Sequence, residues 1–366
     1  MISAPDNLKA GAGNREVRLD WQAVDNADRY LVFFASEANF DPLNIGAYRD
    51  GDWQQAKQPP FTVSGLDNGT TYYFVITAVR SGKESDASAR VSATPSRPSA
   101  PLNVSAAETL MVELINQARF NPSAEATRFG IDLNEGLTPG TLSNERRPPL
   151  AYNELLMFAA RTHSQWMLDT DTFSHSGAAN SSVTDRIAAE GYTLSGSWTA
   201  GENISVSGAS RRPDPVNAVI SQHQGLFKSP GHRVNILNAG YRELGVGQRS
   251  GEFTFSSGAF PSSMISQNFA RHGSDYFVSG VVYRDSDNNG RYSAAEGVEG
   301  VTVSVGDAST TSGAAGAYTI ARPKGTYNVA AFGDDIGLTT DSVTLNNRNK
   351  KLDIIINGTN AQLTVW

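Results

Sequence analysis

The hydrophobic period of this chain changes twice, from two to about 3.6 and back to two, so different segments must build different kinds of core. Residues 1 to about 96 alternate over the short runs REVRLDW, RYLVFFA, FTVSGL, TTYYFVITAV and ARVSAT, with turn residues between them. That spacing predicts a β-sandwich. From Glu108 the apolar positions Leu110, Leu114, Ile115 and Ala118 fall on one helical face until Asn121-Pro122 stops the run. Further helices fit Asn153 to Leu168 and Asp214 to Phe227, the latter ended by Ser229-Pro230-Gly231. Strand-like ELGVGQ and MISQNFA follow. Alternation returns after Gly273 in DYFVSGVVY, GVTVSV, AYTIA, TYNVAAF and LDIIING, which predicts a second, smaller β-sandwich. The segment TPSRPSAPLNVS, with three prolines among small polar residues, is too poor in apolar groups to predict a packed element. The 366 residues are therefore expected to divide into domains at 1–96, 107–272 and 274–366, with a linker at 97–106.

Composition excludes several function classes. The formal net charge is −7 and the Lys and Arg residues are scattered. No basic stripe could track a phosphate backbone, so nucleic acid is not an expected partner. No apolar run approaches the roughly 20 residues that span a bilayer. Cysteine is absent, so every metal ligand must be a His, a carboxylate or a carbonyl. The start, MISAPDNLKA, lacks a basic segment followed by an apolar one. Any secretion signal is expected to have been removed or to lie upstream.

Three polar segments carry chemistry: FSHSG around His175, GENI around Glu202 and SPGHRVNIL around His232. Two imidazoles and a carboxylate in one pocket suit zinc or another divalent ion, or a proton-transfer site. Each also has a structural reading. Glu202 could hold a loop by accepting backbone N–H bonds, and His175 and His232 could fasten the cleft as a neutral pair. His163 is expected to be a packed or surface histidine, and His272 has no partner in view. No G-x-S-x-G elbow or H-E-x-x-H helix occurs, and Ser176 is a poor candidate nucleophile because adjacent residues rarely point at each other.

The first segment resembles a fibronectin type III domain, with Trp21 as its buried aromatic and Leu66, Gly69, Thr70, Tyr72, Phe74 and Ile76 matching the corner and following strand. Tyr72 would be the corner tyrosine, its ring buried and its hydroxyl returned to backbone. In the middle segment, ELINQARFNP, PLAYNELLMFAARTHSQWML, FSHSG, GENI, SPGHRVNIL and RELGVGQ occur in order over roughly residues 107 to 271. They resemble the CAP superfamily of cysteine-rich secretory, antigen 5 and pathogenesis-related proteins, also called SCP domains. The resemblance implies an α-β-α sandwich whose cleft is lined by two histidines and two glutamates. His175, Glu202 and His232 match three of those positions. The fourth belongs on the helix before the second histidine, where AVISQHQGLFK has no acid. Gln224 or His223 is expected to stand there, and His223 joins the candidate zinc or other divalent-ion ligands. Glutamine cannot serve as a base, which weakens a hydrolytic reading.

The run from Asp285 to Glu296 follows D-x-[DN]-x-[DN]-G-x5-E at every defined position. Asp285, Asp287 and Asn289 would offer side-chain oxygens to calcium, Arg291 its carbonyl and Glu296 two oxygens. Ser293 would bind directly or through water, and Gly290 permits the turn. Strand-like VSGVVY and GVTVSV flank the loop, so the region resembles the B-type repeats of bacterial surface adhesins. That resemblance implies a small prealbumin-like β-sandwich.

Two functions are expected from these readings. The preferred one is a secreted or cell-surface bacterial multidomain protein that binds an extracellular lipid, polysaccharide or protein without catalysis, stiffened by calcium. The alternative is a divalent-metal-dependent peptidase or esterase using His175, Glu202 and His232.

Overall fold

The computed structural model describes residues 2–366. Its first module has the strands β1 (Asp6–Ala12), β2 (Glu16–Gln22), β3 (Arg29–Ala35), β4 (Asp52–Ala56), β5 (Phe61–Ser64), β6 (Tyr72–Arg80), β7 (Lys83–Glu84) and β8 (Val91–Ala93). One sheet runs β1-β2-β5, and the other runs β4-β3-β6-β7 with β8 also on β6. Alternate side chains of both sheets, among them Trp21, Tyr30, Val32, Phe34, Phe74 and Ile76, form the core between them. Trp21 packs edge-on to Tyr30 at 5.1 Å between ring centroids. The Tyr72 ring is buried, and its hydroxyl accepts the Asp67 N–H at 3.3 Å.

The middle module comprises α1 (Ala106–Phe120), α2 (Pro122–Arg128), β9 (Ala151–Tyr152), α3 (Glu154–Asp169), α4 (Val183–Ala189), β10 (Thr199–Gly208), α5 (Pro215–Lys228), α6 (Pro230–Ile236), β11 (Glu243–Phe255) and β12 (Gly258–Arg271). A sheet of order β10-β12-β11-β9 lies between two helical layers. Helices α3 and α4 cover one face, and α1, α5 and α6 cover the other. Local signals start the helices, α3 and α5 where the sequence reading placed them and α1 two residues before Glu108. Ser105 and Glu108 form a capping box on α1, Asn153 caps α3, and Asp214 caps α5. The glycines of RELGVGQ set the layer spacing. A Cβ on Gly245 would overlap the backbone of Leu156 and Met157, and one on Gly247 that of Ala160 and Arg161. Only glycine lets α3 lie this close to β11.

The last module has β13 (Tyr276–Tyr283), β14 (Thr302–Val305), β15 (Ala308–Thr311), β16 (Ala317–Arg322), β17 (Gly325–Phe332), β18 (Thr339–Leu345), β19 (Lys350–Asn357) and β20 (Asn360–Val365). Its two sheets, β16-β13-β19-β20 and β15-β14-β17-β18, enclose a core of Val, Ile and Leu.

Segment 97–106 differs from the expected unpacked linker. Ser99 bridges Thr310, the Ser96 and Ser309 hydroxyls are 2.7 Å apart, and Leu102 and Val104 are buried in the core of the middle module. Two apolar side chains suffice to seat a short segment when its neighbours satisfy its backbone. The middle and last modules also share a core, because Val281, Tyr283, Tyr292 and Ala317 join the cluster around Leu114, Ile115 and Tyr152. At the same junction Lys351 Nζ lies 2.8 Å from Glu113 Oε2 and also pairs with Asp353. Tyr152 donates its hydroxyl to Glu113 Oε1 at 3.0 Å.

Candidate functional site

Strand β10 places Glu202 in the sheet, 8% exposed, facing the α3 and α4 side. The loop after α3 carries His175, whose Nδ1–H donates to Glu202 Oε1 at 2.8 Å. Arg186 on α4 takes the other oxygen, with Nη2 2.5 Å from Glu202 Oε2. His232 lies on α6, where the segment that was expected only to end α5 begins a new helix at Pro230. Asn235, one turn on, donates to the Glu202 carbonyl at 3.2 Å and to Asn203 Oδ1 at 2.9 Å, which ties α6 to β10. Gly201 is required beside it, since a Cβ there would overlap the Tyr241 hydroxyl.

The two cleft imidazoles have opposite electrostatics. The hydrogen bond to Glu202 raises the His175 pKa above the ordinary imidazole value despite some burial. Burial lowers that of His232, and the nearby charge of His175 lowers it further. His232 Nδ1 is buried without a hydrogen-bond partner, whereas the His175 side chain is 59% exposed. A third imidazole lies at the cleft floor. His163 on α3 is fully buried, stacks on Trp166 at 5.6 Å between centroids, and has Nε2 2.9 Å from the Ser174 carbonyl and 3.9 Å from Glu202 Oε2. Burial lowers its pKa below the ordinary value.

Strand β10 is an edge of the sheet, and there His232 on α6 lies near enough to His175 to feel its charge while His175 bonds Glu202; the other named candidates lie elsewhere. His223 turns toward α2, with Nε2 2.9 Å from Glu125 Oε1 and its ring against Phe129 and Phe227. Gln224 is exposed. The buried residue between β10 and α5 is instead Gln222, which donates to the Ser205 and Ser263 carbonyls at 3.1 Å. Sequence reasoning missed Arg186, because an arginine in the run DRIAAEGY belongs to no motif and its role depends on where α4 lands. His272 approaches the buried Glu243 at 3.9 Å, away from the cleft residues.

Among the described residues, three potential metal ligands lie within 4.8 Å of one another only at Asp285, Asp287 and Glu296. The acidic loop is internally ordered. Asp285 accepts the Asn289 and Gly290 N–H groups at 3.0 Å, and Asp287 Oδ2 accepts from Asn289 Nδ2 at 2.8 Å and from the Ser293 hydroxyl at 2.7 Å. Glu296 accepts the Ser286 and Ser293 N–H groups at 2.8 and 2.9 Å. Gly290 has φ 71°, as the sharp turn requires. The Arg291 side chain leaves the loop and reaches Gln117 on α1 at 3.5 Å. The donor set of the loop is made of oxygens alone.

Comparison with known proteins places a CAP domain here. Residues 112–255 match the CAP family of cysteine-rich secretory proteins. The uncharacterized protein YkwD of Bacillus subtilis (strain 168) is 32% identical over 163 residues, which cover 44% of this chain and 50% of that protein. The chain therefore spans about half the length of this curated relative. Among solved structures, an Fn3-like protein from Clostridium thermocellum is similar over 27% of this chain and 95% of its own, with 22% identity and a TM-score of 0.21. The fn3 domain of human collagen alpha-1(XX) is similar over 28% of this chain and 93% of its own, with 22% identity and a TM-score of 0.22. The protein is a multidomain chain with a CAP domain at its centre. No helix among the described residues is long and apolar enough to cross a membrane.

Proposed function

We propose that this chain is a secreted or cell-surface binding protein whose CAP cleft takes an extracellular lipid, polysaccharide or protein through His175 and His232. The observation that carries this reading is the state of Glu202. Each of its oxygens is engaged by a neighbouring side chain, one by His175 and one by Arg186, an arrangement that fits a carboxylate orienting the cleft better than one poised on a substrate. The hydrolase reading needs a carboxylate base or a third metal ligand, and the helix before His232 supplies neither. Binding of anionic phospholipid vesicles, peptidoglycan and soluble glycans should be compared between wild type and the His175→Ala and His232→Ala variants. Loss of one class of binding in both variants, with folding intact, supports the reading. Equal binding by all three proteins would discard it, and ester or peptide hydrolysis lost in His232→Ala would favour the enzyme.

The acidic loop is proposed to hold calcium through Asp285, Asp287, Asn289, Ser293 and Glu296, with the Arg291 carbonyl completing the set. Clustered carboxylates repel one another until a cation neutralises them. Chelation is expected to lower the unfolding temperature and calcium, but not zinc, to restore it. Asp285→Ala should abolish the response. An unchanged temperature after chelation would reduce the loop to a self-bonded turn.

A further inference from the structure

We infer that Arg186 is the positioning residue of the CAP cleft: it locks Glu202 and the His175 loop together, so that His175 faces the ligand through Nε2 while Glu202 makes no ligand contact. This rests on the binding reading of the same cleft and specifies which atoms serve it.

Arg186 is nine-tenths buried, with 9% of its side chain exposed against 3% for Glu202. Its guanidinium divides its donors. Nη2 binds Glu202 Oε2 at 2.5 Å, while Nη1 donates to the Ser181 carbonyl at 2.7 Å and the His175 carbonyl at 3.1 Å. One planar fork therefore joins strand β10, helix α4 and two points, His175 and Ser181, of the loop between α3 and α4. A lysine ammonium lacks the rigid fork that meets these acceptors from a single planar group. The loop closes tightly around it. Gly177 donates its N–H to the Ser181 carbonyl at 2.9 Å, and a Cβ on Gly177 would crowd Arg186 Nη1 and His163 Nδ1 at 3.1 and 3.3 Å.

With Oε2 held by Arg186, Glu202 turns Oε1 to the Nδ1–H of His175. That bond selects the Nδ1–H tautomer of the neutral ring and leaves the Nε2 lone pair outward. A carboxylate so occupied orients a histidine and does not itself receive a ligand. The cleft then presents the largely exposed His175 ring beside the half-buried ring of His232.

The test is histidine-selective ¹⁵N NMR on the full chain, whose five histidines give a resolvable set, at a pH where the rings are neutral. Wild type should show His175 as the Nδ1–H tautomer and slow amide exchange at Gly177 and Ser181. Arg186→Gln should convert His175 to the Nε2–H form that dominates in free imidazole, with those two amides exchanging at least tenfold faster than their neighbours on α3. Arg186→Lys keeps the charge and should hold the tautomer only in part, while loop exchange still rises. If Arg186→Gln fails to fold, the lysine variant alone decides. Unchanged tautomer and unchanged loop exchange in the folded variants would overturn the proposal. Neither readout requires a ligand. Failure here therefore leaves the binding reading standing, and failure of the ligand screen leaves the positioning role standing.

Discussion

At the residue scale, the cleft is a set of imidazoles whose proton affinities have been pushed apart. His175 is held above its ordinary value by its hydrogen bond to Glu202. Its stabilising contribution is present below the unfolded value near 6.5 and is lost as pH rises through the raised folded value. His163 and His232 are held below by burial. Their contribution is present above the unfolded value and is lost as pH falls toward the lowered ones. Between about pH 7.5 and 5.5, His175→Ala should therefore lose unfolding temperature more steeply than wild type, and His163→Gln less steeply. For the fully buried His163 the slope is bounded at about 1.4 kcal/mol per pH unit. Parallel curves for all three proteins would contradict these assignments. The segments around His175, Glu202 and His232 stand out in the sequence by their polar motifs. Arg186 does not, because its partners lie on β10 and on the preceding loop and come together only in the fold.

At the element scale, the short periodic helices and their caps could be read directly, since each depends on neighbours within four residues. Asn153 and Asp214 sit at the N-termini of α3 and α5 as their side chains dictate. Strand β10 was hidden for a physical reason. It lies in a sheet covered by helices on both faces, and its central polar residues Glu202 and Asn203 are buried and hydrogen-bonded, as in the 3.0 Å bond from Asn203 to Gln267. Polarity along TAGENISVSG therefore does not report solvent. Close packing of α3 on β11 makes a sharp prediction. Gly247→Ala forces a methyl against helix backbone, which cannot rotate away as a side chain would. The expected loss is about 2–3 kcal/mol or more by denaturant unfolding. A loss under about 0.5 kcal/mol would mean that α3 can shift freely on the sheet.

At the scale of the whole molecule, the modules are joined by burial as well as by the chain. Arg18 Nη1 donates to the Gly333 carbonyl at 3.0 Å, linking the first module to the last. The shared core with Tyr292, and the buried ion group of Glu113, Lys351 and Asp353, link the last to the CAP domain. Removing one member of a buried ion group leaves the others uncompensated, so Lys351→Met should cost about 3–5 kcal/mol. Replacing all three by Glu113→Gln, Lys351→Met and Asp353→Asn should recover most of it. Denaturant unfolding followed by Trp fluorescence and by amide exchange should show the CAP domain and last module melting together. Two separate transitions would contradict a shared core.

The sequence alone determined what depends on short range: the three periodic regimes, the helix caps, the order of the CAP motifs and the spacing of the acidic loop. Each is written in residues a few positions apart, where backbone geometry leaves little choice. The tertiary structure decided what depends on distant segments meeting. It turned His223 onto Glu125, set Arg186 on Glu202, seated Leu102 and Val104 in a core and buried Lys351 against Glu113. A side chain's partner across a fold is chosen by how layers stack, and that choice leaves no periodic trace in the chain.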